Sequence, residues 1–363
     1  MKTTQLSVRE IDYLFNPYNH RKLSLLSRIV MAPVSRMSVR HGVPEQEASQ
    51  YYLHRALHYV GLIITEPVAV NDPAASTDSG MSRFYGGQAL RAWKSICRLV
   101  HQRACRIAPL LDHVGMLRAP ADDNLQPECR PVGPSGIEPE SFKHSGESLS
   151  VQRMRQILGA FADAAASARI LGFDAVAING GSAGLLEQFL RPQTNHRHDE
   201  FGGDMMARTR FVSQVVQAVR KAAGRNMPII FRFSQYSKEF GDSALVTSPA
   251  ELEQMLQPLC DSGVDFFICA GQRAHLPAFS GNPLTLSGWT RLLSGRPVIA
   301  EGGIGLPGFD MLSLVRKLRS AEIDLVALGR SLLADAEWAS KIRHAEESDI
   351  ISSSERVGTH LSS

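Results

Sequence analysis

Short runs in which nearly every residue is apolar recur along the chain, separated by longer stretches in which apolar positions return every three or four residues. The runs are Arg28 to Ala32, Val60 to Thr65, Arg106 to Leu111, Phe173 to Ile178, Pro228 to Phe233, Val264 to Cys269, Pro297 to Ala300 and Ile323 to Leu328. Continuous apolar character predicts strands buried on both faces, as in a parallel sheet. Ala89 to Ala104, Met154 to Leu171, Arg208 to Ala223 and Pro249 to Asp261 carry the helical period. Strand and helix therefore alternate, and eight such strands predict a (β/α)8 TIM barrel closed by right-handed crossovers. A doubly wound open sheet is the rival fold, but no GxGxxG turn follows the first run to support it.

Composition narrows the class. The chain has 363 residues, about a hundred more than a typical barrel, which carries insertions easily. A single domain over residues 1–345 accounts for them. The Pro-, Gly- and Ser-rich segment around residues 118–149 is expected to cap the barrel mouth, and residues 346–363 to form a flexible tail. Hydrophobic residues make up 44% and charged residues 21%, enough for a packed core. A net charge of +3 without a long basic block argues against nucleic acid as a partner. No apolar run has signal-peptide or membrane-spanning character, so a cytoplasmic protein without membrane attachment is expected. Homo-oligomerisation stays open. The five cysteines, Cys97, Cys105, Cys129, Cys260 and Cys269, show no metal or disulfide spacing and read as buried thiols.

The candidate chemistry begins at two glycine motifs, Glu301-Gly302-Gly303-Ile304 and Leu328-Gly329-Arg330-Ser331, each at the end of an apolar run. Glycines there let backbone N–H groups approach an anion, and an arginine adds a fixed fork of donors. In eight-stranded barrels a phosphate site frequently follows strands seven and eight. Gly302, Gly303, Gly329 and Arg330 thus read as a phosphate clamp; the plainer alternative is turn glycines beside a surface arginine.

Several segments, in this order, resemble the Old Yellow Enzyme family of FMN-dependent oxidoreductases: Arg28-Ile-Val-Met-Ala-Pro33, Gly61-Leu-Ile-Ile-Thr-Glu66, Gly172-Phe-Asp174, Gln188-Phe-Leu190, Asn195-His-Arg-His-Asp-Glu-Phe-Gly-Gly203 and the two glycine motifs. The likeness extends from about Arg28 to Arg343. It implies an FMN-binding barrel reduced by NADH or NADPH, and a small-molecule substrate. Carried over by position, Pro33, Val34 and Ser35 would touch the flavin ring and Arg232 would stand beside its N1 and O2 atoms, where a cation stabilises reduced flavin. An arginine between apolar strand residues can instead be an ion-pair partner in the core.

The fourth strand departs from the family pattern. Where the family has a histidine and then an asparagine or histidine to grip the substrate carbonyl, and a tyrosine to protonate carbon, this chain has Asn179, Ser182 and Gly184. Asn179 and Ser182 retain donors, whereas Gly184 retains none. Loss of a general acid costs about 10²–10⁴-fold, so ordinary ene-reduction should be weak. On the third strand Leu110 replaces a glutamine expected at the flavin pyrimidine edge, and Pro67 follows Glu66 without an N–H. Asp112, His113, Tyr236, Arg273 and His275 are the substitute acids to consider. His275 is preferred because Gly271, Pro277 and Gly281 would let its loop fold over the flavin; the plainer reading is a solvated histidine. Oxidation of an amine or a saturated ring would need no acid at carbon. A redox-neutral FMN-dependent isomerase and a catalytically silent flavin-binding protein are the alternatives.

Overall fold

The computed structural model describes residues 8–34, 39–76, 80–118, 129–271 and 274–344. All eight predicted runs are strands: β1 (Ile29–Met31), β2 (Leu62–Ala69), β3 (Arg106–Asp112), β4 (Val176–Gly180), β5 (Ile229–Ser234), β6 (Phe266–Ala270), β7 (Val298–Glu301) and β8 (Leu325–Leu328). Each pairs in parallel with the next in sequence, and β8 pairs with β1 to close the barrel. The four predicted helices are Gly87–His101, Val151–Leu171, Met205–Ala223 and Pro249–Ser262. Ser150, Asp204 and Ser248 cap the last three by accepting backbone N–H groups, which satisfies donors that have no partner within the helix.

Alternate residues of every strand face the lumen. Ala108, Leu110, Ala177, Ile230, Ile268 and Ile299 belong to one buried cluster there, so the barrel is a filled core and not a pore. A hairpin of Tyr18–His20 and Leu23–Leu25 precedes β1, and Tyr18, Leu23 and Leu25 join the same cluster. His20 meets Phe266, the first residue of β6, edge to face. The N-terminal end is thereby plugged with apolar groups, and the polar side chains collect at the opposite end. Outside the strands, Phe231, Phe233 and Phe267 pack into a second buried cluster with helix residues such as Phe161 and Phe211.

Two strand boundaries and one cysteine differ from expectation in ways the structure explains or corrects. Strand β2 runs on through Glu66 and Pro67, with a register shift against β3 between Ile64 and Pro67; the bulge is what admits a proline into a barrel strand. Strand β4 starts at Val176 because Asp174 is spent on a turn, accepting the Ile107 N–H and pairing with His101 and Arg106. Cys129 is half-exposed where the other four thiols are buried, which corrects the expectation for that one. The described part of the capping segment forms a parallel strand pair, Val132–Gly133 with Glu147–Ser148; residues 119–128 and the tail from 346 lie outside the described residues. Among the described residues no helix is long and apolar enough to cross a membrane.

Candidate active site

Four strands deliver polar side chains to the C-terminal mouth: Asp112 from β3, Asn179 from β4, Arg232 and Ser234 from β5, and Glu301 from β7. Arg232 ties them together. Its Nε and Nη2 donate to Glu301 Oε2 and Oε1 at 2.9 and 2.8 Å, a bidentate pair. Its Nη1 donates to Asn179 Oδ1 at 3.3 Å and Ser182 Oγ at 3.2 Å. Burial works against the guanidinium charge, but Glu301 more than offsets it and the pKa is raised. Gly181 makes room for this fork, since a Cβ there would stand 2.7 Å from Ser234 Oγ and 3.2 Å from Arg232 Nη1.

These bonds orient Asn179 and Ser182. Asn179 Oδ1 also accepts the Gly181 N–H at 3.3 Å, so its oxygen must face those two donors and its amide nitrogen must face away. That nitrogen is buried with no hydrogen bond, although it lies near enough to lower the Asp112 pKa. Ser182 and Ala183 hold left-handed φ values of 57° and 55°, a conformation that costs energy in non-glycine residues. Glu187 and Gln188 impose it: Ala183 N donates to Glu187 Oε2 and Gln188 Nε2 donates to Ala183 O, both at 2.7 Å. Glu187 is itself fixed by Arg191 at 2.7 and 3.0 Å and by Ser237.

Asp112 occupies the space that a side chain at 184 would enter. A Cβ on Gly184 would lie 3.2 Å from Asp112 Oδ1. Burial pushes the Asp112 carboxyl up to about 6, against the lowering effects of Asn179, the His113 N–H and Arg232. Of the other acids weighed from sequence, His113 is buried and structural, accepting the Gly115 N–H at Nδ1 and therefore turning a protonated Nε2 to Asp72 at 3.2 Å. Tyr236 is exposed. His275 packs edge-on against Phe309, centroids 4.9 Å apart, with its Nδ1 buried and unpartnered; among the described residues no hydrogen bond joins it to Asn179, Ser182 or Asp112. Arg273 and Ser35 lie outside the described residues.

At the other end of the mouth, Gly302 and Gly303 have φ values of +141° and +68°. A Cβ on Gly302 would stand 2.1 Å from Gly271 O, so glycine is required for the loop after β6 to cross it. Gly329 faces Val34, which with Pro33 follows β1 half-buried; a Cβ there would still lie 3.5 Å from Val34 Cγ2. Arg330 is exposed and forms no ion pair among the described residues. A cleft of about 570 Å³ opens against Glu301, between Tyr236, Asp242, Leu276 and Leu286.

The family model for NADH:flavin oxidoreductase / NADH oxidase matches residues 13–349. The chain belongs to this family. Within it, the chain is 28% identical to an NADH oxidase of Thermoanaerobacter brockii over 93% of its own length, spanning about half (52%) of that longer protein. It is 28% identical to an NADPH dehydrogenase of Clostridium acetobutylicum, covering 88% of this chain and 91% of that one. A solved structure of morphinone reductase in complex with tetrahydroNAD superposes with a TM-score of 0.76 at 26% identity, over 92% and 90% of the two chains. The barrel and the resemblance to Old Yellow Enzyme are thus confirmed, and the chain is an FMN-dependent oxidoreductase of the NADH- or NADPH-linked kind. The residues present are compatible with FMN: Gly302, Gly303 and Gly329 stand beside Arg330, exposed and without an ion pair among the described residues, and the Asn179 amide nitrogen is buried without a hydrogen bond.

Sequence reading did not single out Glu301 as a side chain of the mouth paired with Arg232, treating it only as the head of a glycine motif. Strand parity was the available signal, because Glu301 falls two residues after the lumen-facing Ile299.

Proposed function

We propose that this protein transfers electrons from NADH or NADPH through FMN to a small-molecule substrate other than the simple enones the family usually reduces. Gly302, Gly303, Gly329 and Arg330 would hold the phosphate, Pro33, Val34 and Ser35 the ring face, and Arg232 the N1–O2 edge. FMN, when bound, supplies hydride transfer. The chain's own residues decide which substrates can use it. One observation carries the reading: the oxygens of Asn179 and Ser182 both accept from Arg232, and position 184 has no side chain. Only a neutral amide N–H and a hydroxyl remain to polarise a substrate oxygen, and charge developing there needs aimed donors.

Stopped-flow mixing of NADPH-reduced enzyme with cyclohexenone tests this. Slow reoxidation is expected. The changes Asn179→His, Ser182→Asn and Gly184→Tyr should speed it together, with Asp112→Ala added because a Cβ at 184 crowds that carboxyl. Asparagine suits the left-handed φ at 182, and residues acting as a unit rescue poorly one at a time. Rapid anaerobic reoxidation of the wild type with formation of cyclohexanone would overturn the reading.

A further inference from the structure

We infer that Glu301 sets the reduction potential of this enzyme by neutralising Arg232. The inference rests on the proposed placement of flavin N1 and O2 beside Arg232, and goes beyond it in assigning the residue that cancels that cation. All three nitrogens of the Arg232 guanidinium are engaged, two with Glu301 and the third with Asn179 and Ser182, which uses four of its five N–H groups. Both partners are largely shielded, with side-chain exposures of 10% for Arg232 and 15% for Glu301. Such a pair presents almost no net charge to a ring lying over it.

The electrostatic consequence follows from Coulomb's law. Two-electron reduction places negative charge on the flavin pyrimidine, and a bare cation there would stabilise the reduced form. A carboxylate bound face to face with that cation removes most of the benefit. Register explains how it gets there: Glu301 is level with Ala270 and Ser234, one pleat above Arg232, so the arginine reaches up and across β6 to meet it. The lowered potential makes the flavin a stronger reductant and a poorer oxidant. That compensates for weak polarisation of the substrate by Asn179 and Ser182, and turns the preference toward reduction and away from the amine or ring oxidation that sequence alone allows.

The charge cycle Glu301→Gln, Arg232→Gln and the double variant tests this on the FMN-loaded protein. Midpoint potentials are read by anaerobic equilibration against reference dyes. Glu301→Gln, which keeps shape and one acceptor, should favour reduced flavin by about ten- to a hundredfold, or about 30–60 mV for a two-electron couple. Arg232→Gln should shift it in the opposite direction by a comparable factor, and the double variant should return to within about threefold of wild type. The singles have opposite signs, so either alone decides if the other fails to fold. An unmoved potential in the singles overturns the inference. If FMN affinity and visible spectrum are also unchanged, the placement of the flavin beside Arg232 falls with it; an altered spectrum with an unmoved potential removes the role of Glu301 alone.

Discussion

Asp72 and Asp112 are both buried carboxylates at the barrel mouth, and His113 touches each, yet they are driven in opposite directions. Asp72 accepts from His113, from the Ala74 N–H at 2.9 Å and from Arg153 at 2.6 and 2.7 Å. Burial raises its pKa, but these partners more than offset that and hold it at about 2. At Asp112, burial outweighs the lowering by Asn179, by the His113 N–H that it accepts at 2.9 Å and by Arg232, and carries it to about 6. The contrast extends outward. Around Asp72 and Glu187 every charge is closed by a partner and the loops are fixed; around Asp112 and Asn179 polar capacity is left over. Closed networks hold the barrel mouth in shape, and the open one is where a ligand has something to satisfy.

The closed side should fail hardest when cut. Glu187 and Arg191 are fully buried, so Glu187→Ala leaves an uncompensated guanidinium and also releases Ala183 from its left-handed turn. A loss of about 3–5 kcal/mol is expected, read as a fall in the urea midpoint at constant slope. Arg191→Met combined with Glu187→Ala should cost less than the sum of the single changes. A loss under about 1 kcal/mol for Glu187→Ala would show that this network is not what fixes the turn.

The open side should be pH-sensitive in a definite sense. Asp112 has a folded pKa of about 6 against an ordinary 3.8, so its contribution to stability is complete below about pH 4 and is lost as pH rises through 6. Two pKa units correspond to about 3 kcal/mol. Asp72 works oppositely: its contribution is present above 3.8 and lost as pH falls through about 2. Comparing the Tm of wild type and Asp112→Asn from pH 4 to 7, the wild type should lose ground with rising pH relative to the variant. Parallel curves would mean that the Asp112 carboxyl is better compensated than its partners indicate.

The fold was legible because barrel strands buried on both faces read as apolar runs, and the helices between them carry apolar residues every three or four positions. Local chemistry of that kind is written in adjacent residues. The two glycine motifs stand out in the same way, whereas the absence of an acid at Gly184 is visible only through the family resemblance. The Arg232–Glu301 pair was not, since it joins residues 69 positions apart whose meeting depends on barrel closure and pleat level. The pKa of Asp112 was equally out of reach: its sequence neighbours do not reveal that Leu110, Asn179 and Gly184 surround it with so few donors. His275 drew attention through the Gly271, Pro277 and Gly281 of its loop, while its edge-on contact with Phe309 joins residues too far apart in sequence to be read there.

The smallest effect tests how far the open region reaches down the barrel. Leu110 lies one lumen-facing step below Asp112, fully buried in the apolar cluster, and its backbone N–H already donates to Thr65 Oγ1 at 3.1 Å. Leu110→Gln introduces an amide with no partner in the protein alone, which should lower the Tm of the FMN-free form; an unsatisfied buried amide costs about 1–3 kcal/mol. If the flavin imide edge lies over this position, bound FMN supplies the partner. The variant should then bind FMN more tightly by about 1 kcal/mol, roughly fivefold, and much of the Tm deficit should vanish in the loaded protein. Fluorescence titration and paired melts with and without FMN measure both. Weaker FMN binding with an uncorrected Tm deficit would place Leu110 in the closed apolar floor, beneath the reach of the ring, and confine the open region to Asp112, Asn179 and the residues above them.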